Sequence, residues 1–333
     1  MARHTVTLIT GDSTGPELAR ATQRLVAAAG ADIAWDDQPC GTISFAATGE
    51  ALPAALIASV RKNKVALKGR LDTPVGSGYE SPNVRLRKEL GAFAAVRPIR
   101  SQPGTQSRYE DVDVIVVREC TEDVYAGIEH QVVPGVVQSI KITTRVACER
   151  IVHHAFLVAR RFRRQKVTLV HKANIMKKAD GLFLKVGREI APQYPDIEFD
   201  AVIADNACMQ LVKRPNQYQV LVAQNLFGDL ISDLCAGLVG GISNVWGTLE
   251  DAQGTVVFEA LHGISKSLEG SGLANPLPFI RPASAMLRHL GEVDAAARIE
   301  RAIAATLEAG IKTRDLGGDA TTGRFVDAMI ERL

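Results

Sequence analysis

The sequence predicts an α/β fold in which short strands alternate with helices. Short β-branched runs recur along the 333 residues, and each is followed by a turn signal and then a helical period. The runs cover residues 6–9, 65–67, 112–117, 167–170, 202–204, 220–222 and 256–258. Hydrophobic residues make up 46% of the chain and charged residues 23%, which is typical of globular proteins with one or two cores. Strands that alternate with helices form a largely parallel sheet covered by helices.

The charge balance excludes whole classes of partner. Lys and Arg number 39 against 37 for Asp and Glu, so the formal net charge is +2. A chain this balanced is not expected to bind nucleic acid or an anionic membrane as its main partner. The N-terminus shows no apolar signal segment, and no later apolar run reaches the roughly 18 residues of a membrane helix. We therefore expect a cytoplasmic protein.

The cysteines are scattered along the chain and contain no C-x-x-C pair. Their odd number and wide spacing predict reduced, mostly buried thiols rather than a disulfide framework or a zinc site. They are Cys40, Cys120, Cys148, Cys208 and Cys235.

The first predicted strand is followed by a turn at residues 11–16 and then by a helix. The apolar residues Leu18, Ala21, Leu25 and Val26 fall on one face of that helix. This arrangement is similar to the start of a dinucleotide-binding unit, but neither G-x-G-x-x-G nor G-x-x-x-x-G-K occurs. A bound nucleotide would therefore be held by a different arrangement.

Residues 129–139 form an extended segment outside the alternation of strands and helices. The segment is equally consistent with an arm that pairs with another chain and with a hairpin at the edge of the main sheet.

Three aspartates are candidate metal ligands. Asp229 and Asp233 are four residues apart at the start of a predicted helix, so they share one face, where their like charges repel. A hard divalent cation such as Mg²⁺, which prefers oxygen ligands, would relieve that repulsion. The structural alternative is that Asp229 caps the helix and Asp233 is solvated. Asp205 ends a strand that looks buried, and this favours the metal interpretation because a buried charge needs a partner.

Four arginines lie at the ends of predicted elements: Arg85, Arg87, Arg97 and Arg118. Arg118 closes an apolar strand, and a guanidinium binds carboxylates through paired hydrogen bonds, so a small polycarboxylate is a plausible ligand. Surface solvation is the usual fate of a single arginine, and it is the favoured interpretation for Arg85. Ser81 precedes Pro82, which also favours a simple helix cap.

Lys172 and Tyr125 are candidate proton-transfer residues. Lys172 follows the strand of residues 167–170, and a lysine near a metal can have its pKa lowered enough to act as a base. A tyrosine such as Tyr125 can deliver a proton. Their role depends on whether they converge on the aspartates.

The segments that carry these candidates are distributed along nearly the whole chain. They are residues 73–76, 81–87, 96–98, 118–129, 171–176, 205–212, 225–233, 262–263 and 274–276. Together they resemble the metal-dependent decarboxylating dehydrogenases of isocitrate, 3-isopropylmalate and homoisocitrate. The Ser81 and Asn83 pair, residues 205–212 and residues 313–318 look most like NAD-dependent isocitrate dehydrogenases.

The resemblance implies a fold of two domains around a shared sheet, without the classical dinucleotide fingerprint. Residues 1–93 and 250–333 would form a large domain on the cofactor side. Residues 94–249 would form a small domain with the metal site and a dimerisation arm near residues 129–144. Members of this family are dimers or larger assemblies with shared active sites, so we expect a homo-oligomer.

The resemblance also implies a role for each candidate residue. By position, Arg87, Arg97 and Arg118 would hold the carboxylates of a small polycarboxylate substrate, with Ser81 and Asn83 at the distal one.

The metal and the catalytic residues are implied in the same way. Asp229 and Asp233 would bind Mg²⁺ or Mn²⁺, with Asp205 and Lys172 contributed by the other subunit. Lys172 would help remove the proton of the 2-hydroxyl group as hydride passes to the nicotinamide. After the β-carboxylate leaves, Tyr125 would protonate the enol carbon.

The cofactor is expected to be NAD, bound by Thr73, Asn225, His262, Gly263, Ser267, Asn275 and Asp315. Ser267 stands where the NAD-dependent relatives carry an aspartate that repels a 2′-phosphate. Since Ser267 removes that repulsion and Lys266 could attract phosphate, NADP stays an alternative.

The predicted function is the conversion of isocitrate to 2-oxoglutarate with NAD. An alternative is the same chemistry on homoisocitrate or a phosphonomethyl malate, which the added Arg85 and the unusual cofactor loop motivate. A non-catalytic regulatory subunit is a third interpretation. The retention of Asp205, Asp229, Asp233, Lys172 and Tyr125 argues against it.

Overall fold

A computed structural model describes residues 4–73, 79–105 and 107–333 and shows alternating strands and helices. The strands are β1 (His4–Ile9), β2 (Ile33–Asp37), β3 (Val65–Lys68), β4 (Ala94–Arg100), β5 (Asp113–Glu119), β6 (Glu129–Val133), β7 (Val136–Ser139), β8 (Lys166–His171), β9 (Glu198–Ile203), β10 (Val220–Ala223), β11 (Trp246–Glu250) and β12 (Val256–Ala260). The helices are α1 (Gly15–Ala28), α2 (Thr42–Thr48), α3 (Ala54–Asn63), α4 (Pro82–Leu90), α5 (Arg145–Arg161), α6 (Ala179–Ile190), α7 (Ala204–Lys213), α8 (Asn225–Leu238), α9 (Leu277–His289), α10 (Val293–Glu308) and α11 (Thr322–Ile330).

The described residues divide into two compact units. The terminal unit contains those of Met1–Gly91, Gln102–Glu110 and Gly240–Leu333. The central unit contains Ala92–Ser101 and Asp111–Val239. Each unit has its own hydrophobic core.

In the terminal unit the strands lie in the order β2-β1-β3-β12-β11. Neighbours are parallel except for β11, which is antiparallel to β12. All residues of β3 and β12 are buried, as expected for central strands of a parallel sheet. The core packs these strands against α1, α9, α10 and α11, and the face predicted for α1 is buried at Leu18, Ala21, Leu25 and Val26.

In the central unit the strands lie in the order β4-β5-β10-β8-β9. All pairs are parallel except β4 with β5. The helix α5 begins where the Thr144 hydroxyl accepts the backbone N–H of Ala147 at 3.2 Å. Phe156 of α5 and Phe183 of α6 are fully buried in the core beside the strands.

Two predictions about local structure are wrong. The strands β2, β4 and β11 are absent from the predicted set; in β4, Arg97, Pro98 and Arg100 interrupt the apolar pattern. Asp205 does not end a buried strand, because β9 is a partly exposed edge strand that ends at Ile203, and Asp205 lies in the first turn of α7.

The extended segment of residues 129–139 is a separate hairpin. Strands β6 and β7 pair antiparallel with each other as a two-stranded sheet, so the alternative of a hairpin on the edge of the main sheet is wrong. Every side chain in both strands is exposed, including Val132, Val133, Val136 and Val137. Exposed valines on an unpaired hairpin are available to another surface.

All five cysteines are free, and four of them are buried. Within the described part of the chain, we find no helix of the length and apolarity needed to cross a membrane.

Candidate active site

A buried arginine, an aspartate and a tyrosine meet in the central unit. Arg118, at the end of β5, is almost fully buried, and its Nη1 donates to Oδ1 of Asp229 on α8. The hydroxyl of Tyr125 donates to the other oxygen, Oδ2, at 2.6 Å. The Arg118 guanidinium also lies 5.0 Å from the centre of the Tyr125 ring. The Tyr125 side chain is 39% exposed. Partial desolvation, and next the bond to Asp229, raise its pKa further above neutral pH, so the phenol is protonated.

The start of α8 fixes the orientation of Arg118. Nε of Arg118 donates to Oδ1 of buried Asn225 at 2.9 Å, and the Asn225 amide donates to the carbonyl of Glu122 at 3.1 Å. Gly228 is required one turn later, since a Cβ there would lie 2.7 Å from Cγ of Arg118. A larger residue at this position would push the guanidinium away from Asp229.

Arg97 brings a second guanidinium to the same carboxylates. Ala95 pairs with Arg118 in the β4–β5 register, so Arg97 is the diagonal neighbour of Arg118 on the same sheet face. Its Nη2 lies 3.6 Å from Oδ1 of Asp229, and its Nη1 lies 3.3 Å from Oδ1 of Asp233. Nη1 also donates to the Ser232 hydroxyl. Two arginines therefore converge on two aspartates of one helix face.

The capping interpretation of Asp229 is wrong. The helix α8 begins at Asn225, its N-cap residue is Gln224, and no side chain caps it, so Asp229 lies within the helix. The donor set of Asp229 and Asp233 suits a hard cation such as Mg²⁺ or Mn²⁺, because both are carboxylates on one face and Asp233 is largely exposed. Within the described chain no three acidic, His or Cys side chains form a metal-binding group.

Lys172 and Asp205 pair with each other. Nζ of Lys172 donates to Oδ1 of Asp205 at 2.5 Å, and this bond lowers the pKa of the Asp205 carboxyl. A buried aspartate holds the turn that carries Lys172. The backbone N–H of Lys172 donates to Oδ2 of the fully buried Asp180 at 2.7 Å. Lys172 therefore presents its amine next to one candidate metal ligand.

Lys141 links the turns that carry Lys172 and Tyr125. Its Nζ lies 3.3 Å from Asp180 and 3.1 Å from Asp123, both of which are buried. Asp123 accepts the backbone N–H of Leu226 at 3.0 Å, at the start of α8. Lys141 thus contacts one buried aspartate near each candidate proton-transfer residue: Asp180, which binds the turn of Lys172, and Asp123, close to Tyr125.

In the terminal unit the candidate substrate residues lie around the start of α4. Ser81 is the N-cap residue but makes no side-chain cap, so the simple capping interpretation is wrong. Its hydroxyl shares a hydrogen bond of 3.0 Å with the Thr73 hydroxyl, and Asn83 donates to the carbonyl of Leu71 at 3.2 Å. Arg87 lies on α4 and is partly buried. Of the motif at residues 73–76, residues 74–76 lie outside the part of the chain that the structure describes.

The candidate cofactor residues of the terminal unit form two groups. His262 follows β12, and burial, then the positive charges of Arg70 and Lys68, lower its pKa to about 4. Beyond Gly263, the Ser265 carbonyl accepts the Ser13 hydroxyl at 3.0 Å, and the Ser265 and Ser267 hydroxyls lie 3.4 Å apart.

The second group joins the ends of two helical segments. Asn275 donates to Oδ2 of Asp315 at 2.9 Å, and its Oδ1 accepts the N–H of Leu277, the first residue of α9, at 2.9 Å. The Thr313 hydroxyl donates to the other oxygen of Asp315 at 2.6 Å.

Comparison with known proteins decides the family. A family model described as isocitrate/isopropylmalate dehydrogenase matches residues 5–329. The chain belongs to this family. This membership confirms the predicted fold class. It also confirms the predicted enzyme class, a decarboxylating dehydrogenase that acts on a CH–OH group.

Individual relatives of this family match along almost the full chain. The mitochondrial catalytic subunit 5 of NAD isocitrate dehydrogenase from Arabidopsis thaliana is 47% identical over 330 residues, covering 99% of this chain and 88% of the relative. A mitochondrial regulatory subunit of the NAD enzyme from Dictyostelium discoideum is 45% identical, with 98% and 91% covered. The crystal structure of isocitrate dehydrogenase from Methylococcus capsulatus shares 46% identity and a TM-score of 0.93, with 99% of both chains covered.

Sequence reasoning missed several residues that support the site. Asp12 accepts bonds from the backbone N–H groups of Thr42 and Asp72, each at 2.7 Å, and so ties the turn after β1 to the segment that carries Thr73. The only sequence signal was its place in the turn at residues 11–16. Lys141 and Asp180 carried no signal, because they are separated in sequence and meet only in the fold.

Proposed function

We propose that this chain catalyses the metal-dependent oxidative decarboxylation of isocitrate to 2-oxoglutarate with NAD. The observation that carries the proposal is the convergence of Arg97, Arg118 and Tyr125 on Asp229, with Asp233 on the same helix face. These groups supply what the reaction needs: cations for carboxylates, hard oxygen ligands for a metal, and a proton donor.

Each residue has a defined task in the proposed reaction. Asp229 and Asp233 would hold Mg²⁺ or Mn²⁺, which on binding supplies Lewis-acid polarisation of the substrate hydroxyl and carboxylate. Arg97 and Arg118 bind and orient the substrate carboxylates. In its neutral form Lys172 would take the hydroxyl proton on its Nζ, and the hydride of the carbon that bears this hydroxyl would pass to a bound nicotinamide cofactor. Tyr125 holds its phenolic proton and delivers it to the carbon that loses the carboxylate.

We propose that the active site is completed by a second copy of the chain. Lys172 and Asp205 form a pair of their own, separate from the Asp229 cluster within the described contacts, as expected if they serve the site of a neighbouring copy. The exposed β6–β7 hairpin supports an arm that joins two copies. The plant and Dictyostelium relatives are named as subunits, so a mixed assembly is the alternative to the proposed homo-oligomer.

The division of the described residues into a terminal and a central unit supports the two proposed domains. We assign the cofactor side, predicted for residues 1–93 and 250–333, to the terminal unit, and the metal site to the central unit. NAD is the proposed cofactor, supported by the names of the relatives. NADP stays an alternative because Ser267 carries no charge and Lys266 is exposed beside it.

Two further predictions stay open. A cytoplasmic location is proposed here from the sequence alone, whereas the plant and Dictyostelium relatives are mitochondrial by name. A regulatory role has a precedent in the Dictyostelium relative, but the intact Asp229 cluster and the Lys172–Asp205 pair favour catalysis.

A spectrophotometric panel tests the proposed function. Isocitrate, homoisocitrate, isopropylmalate and a phosphonomethyl malate are each assayed with NAD or NADP, and with Mg²⁺ or EDTA. We expect reduced cofactor with isocitrate, NAD and Mg²⁺, and none with EDTA. No reduction in any metal-containing well would overturn the enzyme assignment, and turnover of the phosphonate alone would replace the substrate while leaving the chemistry intact.

A further inference from the structure

Arg70 is a partly buried cation in the terminal unit. It lies just after β3, its side chain is partly buried, and its Nε is closed off from solvent. In the chain as described, no hydrogen bond or ion pair reaches its guanidinium. A partly desolvated guanidinium gains from a partner of opposite charge, so this position favours an anion as ligand.

Arg70 lies at the edge of the sheet where α/β proteins bind ligands. Strands β1, β3 and β12 are parallel neighbours, with Lys68 in register with both Ile9 and Glu259. Their carboxyl ends therefore meet at one edge, where Arg70 follows β3 and His262 follows β12. The backbone carbonyl of Arg70 accepts the N–H of Asp12 at 2.8 Å, which fixes its place beside the turn after β1.

The carboxylates near this edge are already engaged by other groups. Glu259 pairs with buried Lys68 at 3.3 Å. Both oxygens of Asp12 accept hydrogen bonds, one of them from the backbone N–H of Asp72 at 2.7 Å. Asp72 itself lies 3.5 Å from Lys266. Within the described residues, Lys68 and Lys266 therefore have carboxylate partners, Asp12 is bound by backbone N–H groups, and none of these carboxylates is paired with the Arg70 guanidinium.

His262 adds no negative charge and has an unused ring nitrogen. The residue is nine-tenths buried, and its Nδ1 has no hydrogen-bond partner among the described residues. With its pKa lowered to about 4, the imidazole is neutral at pH 7. Among the described residues, the edge therefore combines a positive charge with a buried ring nitrogen, and neither Arg70 Nε nor His262 Nδ1 has a hydrogen-bond partner.

We propose that Arg70 is an additional ligand-binding residue that holds an anionic group, a carboxylate, phosphonate or phosphate. A planar guanidinium binds two oxygens of such a group through charge-assisted hydrogen bonds. The anion belongs to the third substituent of the substrate or to a phosphate of the nucleotide. This inference rests on the proposed function, because it assigns a further group of the same ligands.

The test compares Arg70→Ala and Arg70→Lys with the wild type. Arg24→Ala is the matched control, because Arg24 is an exposed residue of α1 paired with Asp327. For each protein, KM is measured for isocitrate, a phosphonomethyl malate, NAD and NADP with Mg²⁺, and the thermal midpoint is measured without ligand. We expect Arg70→Ala to raise at least one KM about tenfold, as for loss of one charge-assisted contact. Arg70→Lys should recover part of that loss.

The pattern of KM values identifies the source of the anion. A rise confined to one or both substrates assigns the third substituent, and a rise confined to NAD or NADP assigns a nucleotide phosphate. All four KM values within twofold of the wild type would overturn the inference. A lower thermal midpoint for Arg70→Ala than for Arg24→Ala would also overturn it, since a structural cation would then explain Arg70.

A binding measurement separates this inference from the proposed function. Calorimetric titration with citrate, NAD and NADP requires no turnover. If the wild type converts no substrate, the proposed function fails, and the inference on Arg70 is then decided by calorimetry alone. About tenfold weaker binding of any of these compounds to Arg70→Ala supports it, and unchanged binding of all three refutes it.

Discussion

The hydroxyl of Tyr125 donates a hydrogen bond of 2.6 Å to Oδ2 of Asp229, while Arg118 binds the other oxygen of the same carboxylate. The carboxylate therefore links the proposed proton donor to the proposed substrate-binding arginine. The bond gives the phenol proton a defined position, and partial desolvation together with this bond raises the pKa of Tyr125, whose side chain is 39% exposed.

Tyr125→Phe should remove the proton donor while leaving substrate binding nearly intact. General acid catalysis is worth about 10²- to 10⁴-fold, so we expect kcat to fall by at least about 100-fold with a change in KM of less than threefold. The measurement is steady-state NADH formation together with release of CO₂. Tyr109→Phe, in the terminal unit, is the control and should retain full activity. A rise in KM without loss of kcat would contradict the assigned role.

Asp229→Asn and Asp233→Asn should differ in stability but not in their effect on activity. Both remove a proposed metal ligand, so both should abolish Mg²⁺-dependent turnover. Only Asp229 compensates the buried guanidinium of Arg118, whereas Asp233 is 60% exposed. We expect Asp229→Asn to lower the free energy of unfolding by about 1–3 kcal/mol and Asp233→Asn by less than about 1 kcal/mol. Urea unfolding in EDTA measures the difference, and equal losses for both variants would refute the assigned pairing.

Stability should fall in mild acid because of His262. Its pKa is about 4 in the folded protein and about 6.5 in the unfolded chain. Between these values the unfolded chain binds the proton and the folded protein does not, so stability is lost as the pH falls below about 6.5. For this residue alone we expect a loss of about 2 kcal/mol between pH 7 and pH 5.

The variant His262→Gln should remove that component of the pH dependence. Urea unfolding at pH 7 and pH 5 is compared for His262→Gln and for His130→Gln, a change at an exposed residue of β6. The loss of stability on acidification should shrink only for His262→Gln. If both variants keep the pH dependence of the wild type, another group is responsible.

Lys141→Met should be strongly destabilising and should also lower kcat. The variant leaves Asp123 and Asp180 buried without their shared cation, and breaking a buried ion pair costs about 3–5 kcal/mol. Since these aspartates support the start of α8 and the turn of Lys172, kcat should fall even below the temperature of unfolding. The control is Lys166→Met, which removes pairs with Glu198 and Asp200, whose side chains are 64% and 44% exposed. Thermal unfolding and kcat are measured for both variants, and a loss of stability no greater than that of the control would contradict this role.

The sequence predicted the parts of the site that depend on local pattern. Asp229 and Asp233 were found from their spacing on a helix, and Arg118 from its place at the end of an apolar strand. The fold class followed from the alternation of strands and helices. Each of these signals lies within its own stretch of about ten residues, so no tertiary contact is needed to detect it.

Contacts between distant segments could not be predicted in this way. Lys141 lies between β7 and α5, Asp123 in the turn after β5 and Asp180 on α6, so the three residues meet only in the folded chain. That the Arg70 guanidinium has no ion pair within the described residues depends on tertiary contacts, in which Glu259 pairs with Lys68 and Asp72 with Lys266. Asp205 was misplaced because β9 runs directly into α7 without a turn signal between them.

The β6–β7 hairpin should be required for assembly. Val137 is 66% exposed in the described chain, and burial of such a valine against a second copy would favour association. We expect Val137→Asp to shift the protein toward monomers, because a charge in that interface would lose its water. Analytical ultracentrifugation measures the shift, with Leu157→Asp on the exposed face of α5 as the control. If Lys172 and Asp205 serve a neighbouring active site, activity should fall in proportion to the monomer fraction. A fully active monomer would refute the shared site.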